Sequence, residues 1–187
     1  MNKKIEFKLG ELFCGPGGLA LGAEKAQVVD ETSNTIYKMK PSWASDYHQE
    51  TCETYKRNIK GSNVICKDVK ELITDKKSIL ELGEIDAFAY GFPCNDFSIV
   101  GETKGFEGVY GGLYSYGVKV IDTFNPKFFL AENVGGLTSA NEGKAFEKIK
   151  YDLKNAGKNG YDLTIHKYKF EDYGIPQTRH RIIIIGI

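Results

Sequence analysis

The sequence predicts an α/β fold with a mostly parallel sheet and an antiparallel strand at its C-terminal end. Three observations carry that expectation. Short apolar runs alternate with amphipathic stretches along most of the 187 residues, the pattern of strands joined by helices. The first apolar run leads into a glycine-rich turn, Cys14-Gly15-Pro16-Gly17-Gly18, which lets helix and strand pack closely while the backbone approaches a ligand. Towards the C-terminus, Tyr161 to Phe170 alternates, whereas Ile182-Ile183-Ile184-Ile185 is apolar on both faces, as in a strand covered on each side. A short polar loop separates these two segments, so they are expected to pair antiparallel.

The elements follow in order. Ile5 to Phe13 reads as the first strand and Leu19 to about Lys25 as the first helix, with a polar connection over Asp30 to Asn34. Ile36 to Ser45 reads as the second strand, with Pro41 marking an irregular or edge position. Gln49 to Asn58 is a short helix, Val64 to Cys66 a third strand and Ile85 to Tyr90 a fourth. Ile99 to Gly112 holds five glycines and few apolar anchors. That predicts a long loop, and such loops are usually functional or mobile. Tyr114 to Thr123 reads as a helix and Lys127 to Ala131 as the fifth strand. Ala145, Phe146, Ile149, Leu153 and Ala156 recur at helical spacing, the buried face of a helix that Gly157 ends. In the C-terminal pair, Leu163 and Ile165, with Tyr168 or Phe170, are expected to face inwards.

Bulk properties narrow the class. The length fits one domain. No apolar run approaches a membrane span, and the N-terminus lacks the apolar stretch of a signal peptide, so a cytoplasmic protein without a membrane partner is expected. The formal net charge is zero. Any nucleic-acid contact therefore rests on local patches, or on protein beyond these residues. Cys14, Cys52, Cys66 and Cys94 are scattered, with no CxxC pair and no metal-ligand spacing; neither a disulfide framework nor a metal centre is expected. Cys52 and Cys66 fall in periodic or apolar contexts and read as buried packing residues.

Four segments carry chemistry. The first is the turn from Phe13 to Gly18, followed at successive strand ends by Asp46 and Asp68. An acid at such a place accepts hydrogen bonds from ribose hydroxyls, and Tyr47 beside Asp46 could lie against an adenine face. A helix cap or a solvated loop carboxylate is the competing reading for each acid. The second is Gly91-Phe92-Pro93-Cys94, which ends an apolar run on a proline and hands a thiol to a loop, where the thiolate is the reactive form. Cys14, with no proline before it, serves as the internal comparison, and most lone cysteines are structural. The third is Glu132 in Ala131-Glu132-Asn133-Val134: a semi-buried carboxyl able to act as an acid, or else a helix cap or salt-bridge partner. The fourth, Gln177-Thr178-Arg179-His180-Arg181, carries two arginines at i and i+2 that point the same way on an extended segment, unless it is a solvated basic loop. His180 points away from them and reads as a surface residue. His48 and His166 have no evident partner.

Taken together these segments resemble the cytosine-C5 DNA methyltransferase family, from Leu9 to Ile187. Phe13 to Gly18 looks like the family's cofactor turn, and Gly91-Phe92-Pro93-Cys94 with Phe97-Ser98 like its nucleophile loop. Glu132-Asn133-Val134 matches its glutamate motif, and Tyr173 to Arg181 its QxRxR motif. Asn95-Asp96 departs from the family's usual glutamine followed by a small residue or proline. The resemblance implies a Rossmann-like, S-adenosylmethionine-dependent methyltransferase fold. It implies methyl transfer from S-adenosylmethionine, leaving S-adenosylhomocysteine, to C5 of a cytosine flipped out of duplex DNA. Cys94 would bond C6, Glu132 would meet N3, Arg181 would hold the base O2 and Arg179 would position the loop. The cofactor pocket would comprise Phe13, Cys14, Gly15, Gly17 and Gly18 in the turn, then Asp46, Tyr47, Asp68, Val69, Pro93 and Leu113. Phe92, Ser98, Asn133 and Gln177 would contact substrate or DNA.

The family continues into a target-recognition region and a final motif that this sequence does not contain. The chain stops directly after its buried strand. Residues 1–187 are therefore expected to be the cofactor-binding and catalytic large domain of a longer or split protein, from a bacterial or phage modification system. Its partner would be double-stranded DNA held through the missing region, with the absent C-terminal half or a second subunit completing it. Alone, the chain is expected to methylate DNA negligibly. Competing readings are a non-catalytic regulatory paralogue, an RNA cytosine-C5 methyltransferase acting on transfer RNA, and, from the glycine turn and Asp46 alone, a nicotinamide dehydrogenase.

Overall fold

A computed structural model describes residues 3–93, 112–138 and 143–187; Cys94, Ser98 and most of the expected loop of 99–112 lie outside the described residues. The chain forms two compact units, Met1–Tyr90 and Gly91–Ile187.

The first unit contains β1 (Lys3–Leu12), α1 (Gly18–Lys25), β2 (Gln27–Asp30), β3 (Thr35–Asp46), α2 (Gln49–Asn58) and β4 (Asn63–Cys66). Two short helices, α3 (Val69–Leu72) and α4 (Lys76–Leu80), lead to β5 (Ala87–Gly91), whose last residue opens the second unit. The strands lie in the order β2-β3-β1-β5, with β4 also on β3. All pairs are parallel except the β2–β3 hairpin. β2 precedes the expected connection and shares only Asp30 with it; Val28 and Val29 are both exposed, so no apolar face marks it. Its turn is shaped by the Asp30 carboxylate, which accepts from the Thr32 and Ser33 amides and the Ser33 hydroxyl.

Pro41 fits inside a twelve-residue strand for two reasons. The β1–β3 register slips between Leu9 and Gly10, leaving Ser42 as an extra residue. On the other flank β2 pairs with residues 35–38 and β4 with residues 43–46, so no strand there needs the N–H that proline lacks. The core is built from Leu9, Leu12, Trp43, Phe88 and Tyr90. Gly10 lies opposite Trp43, and a Cβ on it would stand 2.4 Å from the indole. Gly10→Ala is accordingly expected to destabilise the protein by about 2–3 kcal/mol through overpacking, measured by urea unfolding.

The second unit contains α5 (Tyr114–Phe124), β6 (Phe128–Val134), α6 (Lys144–Lys154), β7 (Leu163–Lys169) and β8 (His180–Gly186). Single 3-10 turns follow β6 and β7. β8 runs antiparallel between β6 and β7, and the expected antiparallel C-terminal strand is present. The architecture is α/β and Rossmann-like. α6 buries Ala145, Phe146, Ile149 and Leu153, as their spacing predicts. The helix stops at Lys154, and Gly157 lies in the following turn with φ 72 and its N–H on Asp122 Oδ1. Two expectations need correction. β7 is the outer strand of its sheet, and Ile165 is exposed rather than inward-facing. β6 also extends to Val134, so Glu132 and Asn133 are strand residues facing opposite sides, not residues beyond a strand. Among the described residues no helix is long and apolar enough to cross a membrane, and no three metal-ligating side chains cluster.

Candidate active site

In the first unit the chain turns back at the end of β1 through alternate left-handed residues: Phe13 (φ 54), Gly15 (φ 52) and Gly17 (φ 97). Glycine takes this conformation freely, while Phe13 holds it at a cost of about 1–2 kcal/mol. The glycines divide the work. A Cβ on Gly17 would stand 3.0 Å from the Tyr55 ring, so Gly17 permits close packing on α2. Around Gly15 and Gly18 a Cβ would meet nothing within 4 Å, which leaves an open stretch of backbone.

Asp46, the last residue of β3, accepts the Gly15 amide at 2.9 Å and the His48 amide at 3.0 Å. The carboxylate ties the turn to the strand end, and each oxygen keeps lone-pair capacity for a hydroxyl. Tyr47 beside it is 71% exposed. Asp68 behaves as a cap, accepting the Lys70 amide at the start of α3, and Val69 is buried. His48 does have a partner, with Nδ1 3.2 Å from Glu50 Oε2, and the His166 ring meets Tyr168 edge-on at 4.5 Å. Cys52 is buried as expected. Cys66 is not; it is exposed at the strand end, with Sγ on the Tyr47 carbonyl.

Glu11 is the residue that sequence reasoning missed. It is 1% exposed, with Oε2 accepting the Tyr55 hydroxyl at 3.3 Å and Oε1 without a partner among the described residues. Burial pushes its carboxyl up to about 8; the Tyr55 hydrogen bond opposes the shift and the Asp46 charge adds to it. The only signal in the sequence was an acid inside the run Leu9-Gly10-Glu11-Leu12. Burial, followed by the Glu11 and Asp46 carboxyls, pushes the neighbouring Cys14 thiol far above its ordinary range. Cys14 is buried, and this shift disfavours the reactive thiolate.

In the second unit Arg181 Nε lies 2.6 Å from Glu132 Oε1. The register pairs Val134 with Arg181 and Glu132 with Ile183, so the two side chains are diagonal neighbours on one face. Arg181 Nη1 also donates to the His180 carbonyl at 2.8 Å. On the opposite face Asn133 is buried. Its Nδ2 donates to the Phe92 carbonyl at 2.9 Å, and its Oδ1 accepts the Val134 amide. Both ends of that amide are occupied, so Asn133 anchors the segment running into Cys94. The Phe92 ring is buried near Tyr114. Both side chains are thus held within the second unit.

Pro93 is half-buried and Leu113 is buried just before α5. Gln177 and Arg179 are exposed. The loop before β8 is stapled by Glu171, whose oxygens take the Arg179 amide at 3.2 Å and His180 Nε2 at 2.6 Å. The Phe170 amide closes the loop on the Arg179 carbonyl. Backbone hydrogen bonding and then His180 hold the Glu171 carboxyl below its usual range. His180 is thus a half-buried staple and not a free surface residue.

A family model described as C-5 cytosine-specific DNA methylase matches residues 7–187. The chain belongs to that family. It is 58% identical over 187 residues to the Type II methyltransferase M.BbvI of Brevibacillus brevis, covering 98% of this chain and 50% of that protein. It is 34% identical over 180 residues to the Type II methyltransferase M.NgoFVII of Neisseria gonorrhoeae, covering 96% and 43%. A solved prophage-encoded E. coli structure, assigned as a DNA modification methyltransferase, aligns at a TM-score of 0.72 and 27% identity over 97% of this chain and 46% of that one. The chain spans about half the length of the curated relatives it matches. Membership of the C-5 cytosine methylases gives S-adenosylmethionine as the methyl donor. The open glycine backbone, the Asp46 carboxylate and the exposed Tyr47 ring fit a nucleoside cofactor.

Proposed function

We propose that the full-length protein is a DNA (cytosine-5) methyltransferase of a bacterial restriction–modification system, and that this chain is its catalytic and cofactor-binding large domain. The observation that carries this reading is the Glu132–Arg181 pair, held on a face beside the strand end that runs on into Pro93 and Cys94. The Cys94 thiolate forms a bond to C6 and moves the C5=C6 electron pair onto C5, while Glu132 at N3 and Arg181 at O2 stabilise the developing charge. S-adenosylmethionine supplies the methyl group and leaves as S-adenosylhomocysteine. Loss of the C5 proton to a base then restores the double bond and expels the thiolate.

Phe13, Cys14, Gly15, Gly17 and Gly18 present the turn to the cofactor, Asp46 holds its ribose, and Tyr47, Asp68 and Val69 flank the adenine. Pro93 and Leu113 are the remaining residues assigned to the cofactor. Arg179 positions the loop before β8, Gln177 contacts substrate or DNA, and Ser98 contacts the DNA backbone. The substrate is duplex DNA in the cytoplasm. The zero net charge of this chain supports assigning most of the affinity for DNA to protein beyond it. Alone, the chain methylates DNA negligibly.

The test divides the site in two. In the full-length protein, Cys94→Ala is expected to abolish the covalent adduct with 5-fluorocytosine DNA and to leave S-adenosylhomocysteine affinity within about twofold. Asp46→Ala is expected to weaken the cofactor by about 1–3 kcal/mol and to leave the trapping chemistry intact at saturating cofactor. If both changes act on the same property, the division is wrong. Faster methylation of transfer RNA than of duplex DNA in parallel assays would overturn the choice of substrate.

A further inference from the structure

We propose that Gly91 is a positioning residue for the Glu132 carboxyl: its missing side chain is the space in which Oε2 sits. The inference rests on Glu132 being the group that meets the target base, and it concerns a residue with no chemistry of its own.

Glycine at position 91 is not required by the backbone. Gly91 ends the extended strand β5 and is absent from the residues with positive φ. Nor is it a packing glycine. A Cβ on Gly10 or Gly186 would strike the Trp43 or Phe129 ring at 2.4 or 2.2 Å. On Gly91 the one atom within 4 Å, among the described residues, is Glu132 Oε2 at 3.1 Å. That is closer than an ordinary carbon–oxygen contact, so a methyl group there would force the carboxyl to yield by a few tenths of an ångström.

The carboxyl has little room to yield. Its other oxygen is held by Arg181 Nε at 2.6 Å. Arg181 is itself held by the His180 carbonyl at 2.8 Å, and β6 and β8 are locked by their ladder from Phe129–Gly186 to Val134–Arg181. Glu132 is therefore held by a guanidinium on Oε1, while Oε2 lies beside the space that a Cβ on Gly91 would fill. A methyl group at position 91 is accommodated only by turning the carboxyl and lengthening the ion pair. Displacements of this size matter for a group that must meet a ring nitrogen in line.

The test is Gly91→Ala in the full-length protein. The expected result is a fall in kcat of roughly 10- to 100-fold, with KM for DNA and cofactor within about threefold and the denaturant midpoint unchanged or higher, since alanine fits an extended backbone and restricts the unfolded chain. Adding Glu132→Asp withdraws the carboxyl by one methylene, so Gly91→Ala/Glu132→Asp should lose no more activity than Glu132→Asp alone. Wild-type kcat in Gly91→Ala, or losses that multiply in the double variant, would overturn the proposal. If the unsubstituted full-length protein transferred no methyl group, the functional reading would fail separately. The positioning role is then read from solvent exchange of the Arg181 Nε proton in ¹⁵N-arginine-labelled protein. Exchange about tenfold or more faster in Gly91→Ala upholds it, and unchanged exchange sinks it.

Discussion

Replacing Glu132 with glutamine in the full-length protein is expected to lower kcat for methyl transfer by about 10²- to 10⁴-fold, the range for losing a positioned acid. Arg181→Ala is expected to lose a similar factor, while the double variant loses far less than the product. The non-additivity follows from the geometry. Arg181 Nε and Glu132 Oε1 meet at 2.6 Å, with side chains only 16% and 23% exposed. Removing either partner leaves the other poorly solvated and free to leave its place. Arg181→Lys is expected to behave more like alanine than like arginine. One guanidinium reaches both Glu132 and the His180 carbonyl, and a single ammonium cannot reproduce that planar fork. Stability should follow the same logic, with each single change costing about 1–3 kcal/mol and the double change less than their sum. Single-turnover methylation and urea unfolding of the four proteins measure both cycles. Losses that multiply in the kinetics and add in the unfolding would show that the two side chains act independently.

What could be read from the sequence was whatever lies along one element. The α6 face and the glycine turn are periodic or contiguous, and each sits where its pattern places it; the four-isoleucine run is a strand, but Ile182 and Ile184 are buried while Ile183 and Ile185 are only half-buried. The hairpin strand β2 was not legible because it is four residues long and exposed, with no apolar face to repeat. α3 and α4 were missed for a related reason: at four and five residues they are defined by the Asp68 and Asp75 caps, not by periodicity. Ile165 followed the alternating pattern and is still exposed, because alternation does not say which strand lies at an edge.

Within the candidate site the same limit applies. Glu132 and Arg181 were each legible as chemical groups, but their pairing depends on the β6–β8 register, which no local pattern encodes. Asn133 stands beside Glu132 in sequence and was read as a substrate or DNA contact. Once β6 runs through both residues, they face opposite sides. The Asn133 amide then reaches a carbonyl 41 residues earlier. The Glu171–His180 staple spans nine residues across a hairpin, a separation set by loop geometry and not by helical or strand period.

Glu11 supplies the other large expected effect, and it falls on stability. Its carboxyl is raised from 4.5 to about 8 in the folded protein. Below about pH 4.5 the group is protonated in both states, and its contribution is fully present. As pH rises towards 8 the unfolded chain gives up the proton and the folded chain does not, so this group lowers stability by up to about 1.4 kcal/mol per pH unit, levelling off above 8. The loss accumulated by pH 9 is on the order of a few kcal/mol. Glu11→Gln carries a neutral amide in place of the protonated acid and should remove that slope. Urea unfolding between pH 5 and 9 is expected to give similar stabilities for the two proteins at pH 5 and a clearly more stable variant at pH 9. Tyr55→Phe sharpens the test, because the Tyr55 hydroxyl favours the charged form of Glu11; losing it should extend the falling part of the curve to higher pH without moving its onset. Parallel curves for Glu11→Gln and the unsubstituted protein would mean that the carboxylate is solvated in solution and not enclosed beside the glycine turn.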